Sequence, residues 1–224
     1  MTSHTEHRAE HQADSHDHAH GEENAHAHAP PAKDEKIHSY YQLLGLALKE
    51  LLIEKEIVTG EEIRQAIEGR DDITPALGAK VVARAWLDPS YKERLLANGH
   101  DAVKELGIEP GALNLSVVEN TPRTHNVIVC TLCSCYPRNV LGLPPSWYKS
   151  HESRSRVVRE PRAVLAEFGT ALSDDVEVVV HDSTADLRYL VLPMRPEGTE
   201  DLNEEELAAR VSRDCMIGVS IVNA

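Results

Sequence analysis

The sequence predicts an α+β fold: a helical N-terminal arm leading into a mixed α/β domain, behind a disordered His-rich tail. Three observations predict it. Apolar residues recur at helical spacing between residues 39 and 107. After residue 113 the pattern changes to short runs rich in Val and Ile, divided by turn residues. The first 36 residues hold almost no large apolar side chains, so they cannot offset the entropy of ordering. The expected divisions are a tail over residues 1–36, the arm over 37–112 and the α/β domain over 113–224.

The tail carries His4, His7, His11, His16, His18, His20, His26 and His28 among Asp, Glu and Ala, and ends in Pro30-Pro31. Two readings stay open for it. Imidazoles bind Co²⁺, Ni²⁺ or Zn²⁺ and would make a loading reservoir; a merely solvating tail has the same composition.

The arm begins with Leu43, Leu44, Ala47, Leu48, Leu51 and Leu52 at helical spacing. Thr59 and Glu62 form a capping box, with Ile63 and Ile67 on the inner face of the helix that follows. Thr74-Pro75 opens another helix, with Leu77, Val81, Val82 and Trp86 as its apolar positions. Asp88-Pro89 caps the next, which is expected to stop at Gly99, and Ala102 to Leu106 forms a short turn closed by Gly107. The apolar faces are generous for so thin a layer, and part of them is expected to pack on another chain, with an intramolecular core as the alternative.

In the second half, Leu115 to Glu119 and Asn126 to Cys130 read as strands. Gly142-Leu143-Pro144-Pro145 is a turn-rich stretch. Pro161 to Phe168 reads as a helix ending at Gly169. Val176 to His181 and Leu187 to Leu192 read as a hairpin about residues 182–186. Asn203 with Glu206 starts a helix over roughly 204–213, and Met216 to Val222 reads as a last strand.

The formal net charge is −14, of which −5 falls on the first 36 residues. Such an acidic body argues against nucleic acid, whose phosphates need clustered Lys and Arg. No apolar run approaches the ~20 residues of a membrane span. The N-terminus lacks the charged-then-apolar pattern of a secretory signal. The expectation is a cytoplasmic protein without membrane contact.

Cysteines stand at Cys130, Cys133, Cys135 and Cys215. In a cytosolic chain, three within six residues point to metal or redox chemistry rather than structural disulfides. A strand delivers Cys130, and the chain then turns through Thr131, Leu132, Cys133, Ser134 and Cys135. Three thiolates in C-x-x-C-x-C spacing can converge on one transition-metal ion. The amides of Ser134 and Cys135 lie in the same loop; losing their protons would add two nitrogen ligands and leave one position open. Spacing alone leaves other readings standing: a zinc site completed by Cys215 or a histidine, or part of an iron–sulfur run, although no further cysteine is near. Cys215 itself reads as a buried thiol behaving as a small apolar residue.

The surrounding segments sharpen this. Val129-Cys130-Thr131-Leu132-Cys133-Ser134-Cys135-Tyr136-Pro137 resembles the active-site segment of the nitrile hydratase alpha subunit family. The resemblance continues through Leu77-Gly78-Ala79-Lys80-Val81-Val82, Ala85-Trp86-Leu87-Asp88-Pro89, Val118-Glu119-Asn120-Thr121 and Val140-Leu141-Gly142-Leu143-Pro144-Pro145 with Trp147-Tyr148. It extends to Arg156-Val157-Val158-Arg159-Glu160-Pro161-Arg162, Leu192-Pro193, Arg195-Pro196-Glu197-Gly198-Thr199 and Ile217-Gly218-Val219. It spans roughly residues 40 to 222.

What the resemblance implies is specific. The family's alpha subunit binds one non-haem iron or non-corrin cobalt ion. Thr131 and Tyr136 match the cobalt pattern, whereas iron enzymes more often have Ser at the first position, so the implied cofactor is Co³⁺, one per chain. Cys130, Cys133 and Cys135 would be the sulfur ligands, and the amide nitrogens of Ser134 and Cys135 the other two. Cys133 would be oxidised to sulfinate and Cys135 to sulfenate, with Cys130 an ordinary thiolate. The implied reaction hydrates a small nitrile to its amide at a Lewis-acidic metal. Two nucleophiles stay open: the Cys135 sulfenate oxygen and a hydroxide at the metal. Implied partners are a beta subunit, without which the chain would be inactive, and a cobalt-specific activator protein. Arg188, Arg159 and Arg162 are candidates to sit close behind the site, with ordinary ion pairing as the alternative for each. Trp147 and Tyr148 would line the pocket or an interface, or simply pack.

One departure bears on the substrate. Arg138-Asn139 follows Tyr136-Pro137 where nitrile hydratases often carry Trp and then Pro. Arg138 and the His-rich tail resemble the related thiocyanate hydrolase gamma subunit, which shares the cobalt claw and yields carbonyl sulfide and ammonia. Residues Arg159 to Arg162 and Leu143-Pro144-Pro145 are closer to nitrile hydratase. A non-catalytic zinc- or cobalt-binding module is the reading from another class.

Overall fold

A computed structural model describes residues 39–223, and the His-rich tail expected over residues 1–36 lies outside them. The chain divides into two compact units, one up to Leu52 and one from Ile53 onward. The described part of the first is helix α1 (Tyr40–Glu54), which ends just past the division. Tyr40, Tyr41, Leu43, Leu44, Leu48 and Leu51 of α1 are all exposed.

The second unit starts with α2 (Gly60–Asp71). Its capping box forms as the sequence predicts: the Glu62 N–H donates to the Thr59 hydroxyl oxygen and the Thr59 N–H to the Glu62 carboxylate. Next comes α3 (Pro75–Leu87), with Pro75 in its first turn and Val81, Val82 and Ala85 buried. Gly78 lies on the same face: a Cβ there would stand 2.4 Å from the Leu141 Cδ2 and 2.7 Å from the Met216 Sδ. The small residue lets α3 approach the segment after the cysteine loop. The Asp88 carboxylate caps α4 (Pro89–Ala97). Asn98 then caps α5 (Gly99–Lys104), a real helix in place of the expected short turn.

Strands β1 (Asn114–Glu119) and β2 (Thr124–Val129) follow. Short helices α6 (Arg138–Leu141) and α7 (Ser146–Lys149) lead to α8 (His151–Arg159) and α9 (Pro161–Glu167). Strands β3 (Glu177–Asp182) and β4 (Leu187–Leu192) precede α10 (Glu204–Ala208) and α11 (Arg213–Ile217).

Three further expectations are corrected. β3 and β4 are not a hairpin: β4 pairs parallel with β1 (Val117 beside Leu190) and β3 pairs parallel with β2 (Val127 beside Val180). Residues 183–186 therefore pass between two sheets. Each later strand finds a buried apolar partner earlier in the chain, which outweighs closing on its neighbour. The 204–213 helix ends at Ala208, because Ser212 starts a new one by accepting the Cys215 N–H. The expected last strand over 216–222 does not form: Met216 and Ile217 end α11, and residues 218–222 are irregular. Gly218 stops that helix at φ 90, the left-handed conformation that glycine tolerates.

The core joins α3, α4 and α5 to the strands and to α11: Val82, Leu95, Val103, Val127, Ile128, Leu190 and Ile217 are buried in one cluster. β2 is buried from His125 to Val129, and its Val127, Ile128 and Val129 belong to that cluster. The next residue along that buried strand is Cys130.

Candidate metal centre

The cysteine loop starts where β2 leaves the core. Cys130 is fully buried, Cys135 half-buried and Cys133 exposed. Their sulfurs converge: 3.7 Å from Cys130 to Cys133, 3.2 Å from Cys133 to Cys135, and all three within 4.8 Å. None is in a disulfide. Two thiolates bound to one ion at about 2.3 Å can stand at most about 4.6 Å apart, and the 3.7 and 3.2 Å separations fall inside that span. Among the described residues no histidine, carboxylate or further cysteine joins the group. Cys215 is buried on α11 beside the Ser212 hydroxyl, at 3.1 Å from its oxygen, as expected of a packed thiol.

The loop is held from three sides. The Thr131 N–H and hydroxyl both donate to the Asp182 carboxylate, at 2.9 and 2.5 Å. The Cys130 carbonyl accepts from Arg154 on α8 at 3.2 Å. The Cys135 carbonyl accepts from the Tyr148 hydroxyl at 2.8 Å. Tyr148 is fully buried, with its ring edge-on to Tyr136 and Trp147. Its burial pushes the phenol pKa up and keeps the O–H a donor.

The thiols differ electrostatically. Cys133 is pulled down to about 7 by hydrogen bonds with Cys135 and Cys130 and by the Ser134 N–H. Cys135 is pushed up to about 12 by burial first and then by its sulfur neighbours, with Arg188 opposing. Cys133, Ser134, Cys135, Arg138 and Arg188 line a cavity of about 400 Å³, whose far wall is residues 110–115.

The expected residues fall in three places. The cysteines, Ser134, Arg138 and Arg188 share this cavity; Arg188 is anchored by the Thr184 and Ala185 carbonyls, and its Nε is buried without a partner among the described residues. Arg159 borders a different depression, beside Thr131 and His151. Arg162 donates to the carbonyls of Leu172, Ser173 and Val176. Sequence reasoning missed Arg154 and Asp182. A faint signal existed for Arg154: it sits three residues before Val157, on the one buried face of α8.

The sequence model of the family described as "Nitrile hydratase, alpha chain" matches residues 39–220. The chain belongs to the nitrile hydratase alpha chain family. Within it, the cobalt-containing nitrile hydratase subunit alpha of Pseudonocardia thermophila is 50% identical over 196 residues, covering 85% of this chain and 95% of that one. The thiocyanate hydrolase subunit gamma of Thiobacillus thioparus is 42% identical over 195 residues, covering 82% and 80%. The crystal structure of a thiocyanate hydrolase variant is similar with a TM-score of 0.77 at 41% identity, covering 83% of this chain and 91% of that one. Nitrile hydratase alpha chains and their thiocyanate hydrolase relatives thus share this fold. Among the described residues no helix is long and apolar enough to cross a membrane.

Proposed function

We propose that the chain is the metal-carrying alpha subunit of a cobalt-type nitrile hydratase, converting small nitriles to amides together with a partner beta subunit. One observation carries the reading: three cysteine sulfurs converge beside an open cavity and, among the described residues, no fourth side-chain donor joins them. A structural zinc site would close its tetrahedron with one. The relatives named as cobalt-containing support cobalt over iron.

Cys130, Cys133 and Cys135 would hold the ion through sulfur, and the Ser134 and Cys135 amide nitrogens would complete the protein ligands. The bound ion supplies Lewis acidity toward the carbon–nitrogen triple bond. Cys133 as sulfinate and Cys135 as sulfenate would present oxygen atoms to the cavity they line. Arg188 would balance part of that negative charge, and Arg138 lines the same cavity. A cobalt-specific activator is the expected route of loading. Arg162 ties α9 to the carbonyls of Leu172, Ser173 and Val176, and Arg159 lies outside the cavity.

A second reading rests on Arg138: a cation on the same wall as Cys133 and Cys135 suits an anion, as a thiocyanate hydrolase gamma-type subunit would require. The test uses the complete complex with its partner subunit. The expected result is about one cobalt per chain, an intact-mass gain matching one sulfinate and one sulfenate, and hydration of acrylonitrile. Thiocyanate hydrolysis without nitrile hydration moves the assignment to the second reading. Zinc with unoxidised cysteines leaves a non-catalytic metal-binding module.

A further inference from the structure

A cation is buried behind the first cysteine of the loop. Arg154 is 9% exposed, yet among the described residues no carboxylate pairs with it. Its Nε donates to the Ser150 carbonyl at 3.3 Å and its Nη1 to the Cys130 carbonyl at 3.2 Å. A buried charge is costly unless something nearby compensates it. Two carbonyl dipoles do so only in part.

The peptide group that Arg154 holds by its oxygen is held by its nitrogen as well. Cys130 C=O and Thr131 N–H belong to one peptide plane, and the N–H donates to Asp182 at 2.9 Å. That plane stands where β2 ends and the cysteine loop begins. A guanidinium from α8 and a carboxylate from the end of β3 grip its two ends. Loss of either grip frees the Cys130 backbone, whose position sets its sulfur 3.7 Å from that of Cys133.

We infer that Arg154 is a positioning residue for the metal centre: with Asp182 it clamps the Cys130–Thr131 peptide, and the anionic thiolate ligand set supplies the counter-charge its buried guanidinium lacks. This rests on the cobalt-claw reading above. Arg154 acts through the Cys130 backbone. Cysteine binds metal as an anion, and the three sulfur anions with the two deprotonated amides together outweigh the charge of Co³⁺, so the loaded site carries the negative charge the cation needs. Without metal the cation has only carbonyls to face; with metal it has an anion. Removing the charge should therefore weaken the loaded protein more than the metal-free one, an asymmetry that a purely structural arginine would not produce.

The test takes the full-length chain in complex with its partner subunit, as parent, Arg154→Met and Arg154→Lys. Cobalt release to excess EDTA is followed, and thermal midpoints are measured with and without cobalt. Arg154→Met is expected to release cobalt about 10- to 100-fold faster, the usual effect of losing a group that orients a ligand. Cobalt should also raise its midpoint less than it raises the parent's. Arg154→Lys keeps the charge but not the forked donor, and should fall between. If Arg154→Met yields no folded complex, the lysine variant decides: faster release than the parent supports the clamp, equal release overturns it. Release from Arg154→Met at the parental rate, or an equal loss of midpoint with and without cobalt, overturns it too. A parent that takes up no cobalt overturns the proposed function and this inference together.

Discussion

The Asp182 carboxylate accepts two hydrogen bonds from Thr131, one from the backbone N–H and one from the hydroxyl. Asp182 is the register partner of Val129, and the next residue, Ser183, donates its N–H to the Val129 carbonyl at 2.7 Å. The end of β3 thus fixes both the last residue of β2 and the second residue of the cysteine loop. Thr131→Ser retains both donors, Thr131→Val retains the amide alone, and Asp182→Ala removes the acceptor. Cobalt content and kcat/KM of the loaded complex should fall in that order. The loss should be small for Thr131→Ser and about 10- to 100-fold for Asp182→Ala. Equal values for Thr131→Val and Thr131→Ser would show that the hydroxyl contributes nothing.

At the other end of the loop, Tyr148→Phe should cost about 1 kcal/mol. The ring stays packed against Tyr136 and Trp147, so little volume is lost. The Cys135 carbonyl loses its 2.8 Å donor. For a domain of this size that corresponds to a fall in thermal midpoint of roughly 2–4 °C. Calorimetry of the parent and variant checks it, and an unchanged midpoint would mean that another donor replaces the phenol.

The helices and the cysteine convergence are legible in the sequence because their signals are local. Thr59 and Glu62 meet three residues apart, and Cys130, Cys133 and Cys135 must lie close on any tight loop. The strand pairing is not local. Neighbouring strands usually pair, so Val176–His181 and Leu187–Leu192 read as a hairpin, yet β3 and β4 each find a more deeply buried partner in β2 and β1. The supporting charges are hidden for a related reason. Arg154, Arg156, Arg159 and Arg162 look alike in sequence; only the packed face of α8 turns Arg154 toward Cys130 and leaves Arg156 to pair with Glu160 and Glu167. Asp182 reaches Thr131 across 51 positions, through a sheet whose register no spacing rule supplies.

His125 makes stability depend on pH. It is buried, its Nε2 stands 2.7 Å from the Gly218 carbonyl and its Nδ1 3.3 Å from the Asn120 Nδ2. Asn120 uses its oxygen to accept from the Asn126 N–H, so its amino group is the end that faces His125. That arrangement suits a neutral ring donating from Nε2 and accepting at Nδ1. Burial lowers the pKa below the ordinary 6.5, against the opposing effect of the Gly218 carbonyl. The unfolded chain therefore binds the proton more readily. The stability this contributes is fully present above about pH 6.5 and is lost as pH falls through the depressed folded value. His181 is shifted the same way by burial and adds to the trend. Thermal midpoints of the parent should drop on acidification below about pH 6.5. The gap between parent and His125→Asn should narrow over the same range, and a gap constant with pH would rule His125 out as the cause.

Gly218→Ala should be among the most damaging single-methyl additions in the chain. Gly218 ends α11 at φ 90, where an L side chain is strained. The added Cβ would also fall 1.9 Å from the Asn126 carbonyl oxygen and 3.0 Å from the Val127 Cα, both backbone atoms of β2 that cannot swing aside. Strain and clash together should cost on the order of 3 kcal/mol or more. The displacement would pass along β2, which is buried up to Val129 and continues into Cys130. Cobalt retention should therefore suffer as well as folding, although Gly218 is remote from the cysteines in sequence. Gly198→Ala is the control: it also has positive φ, at 76, but nothing lies within 4 Å of its Cβ position. It should show the modest cost of backbone strain alone, about 1 kcal/mol, with cobalt retention unchanged. Denaturant midpoints and cobalt release measured on both variants separate the two effects, and equal losses for the two would show that the contact with β2 is relieved by movement of α11.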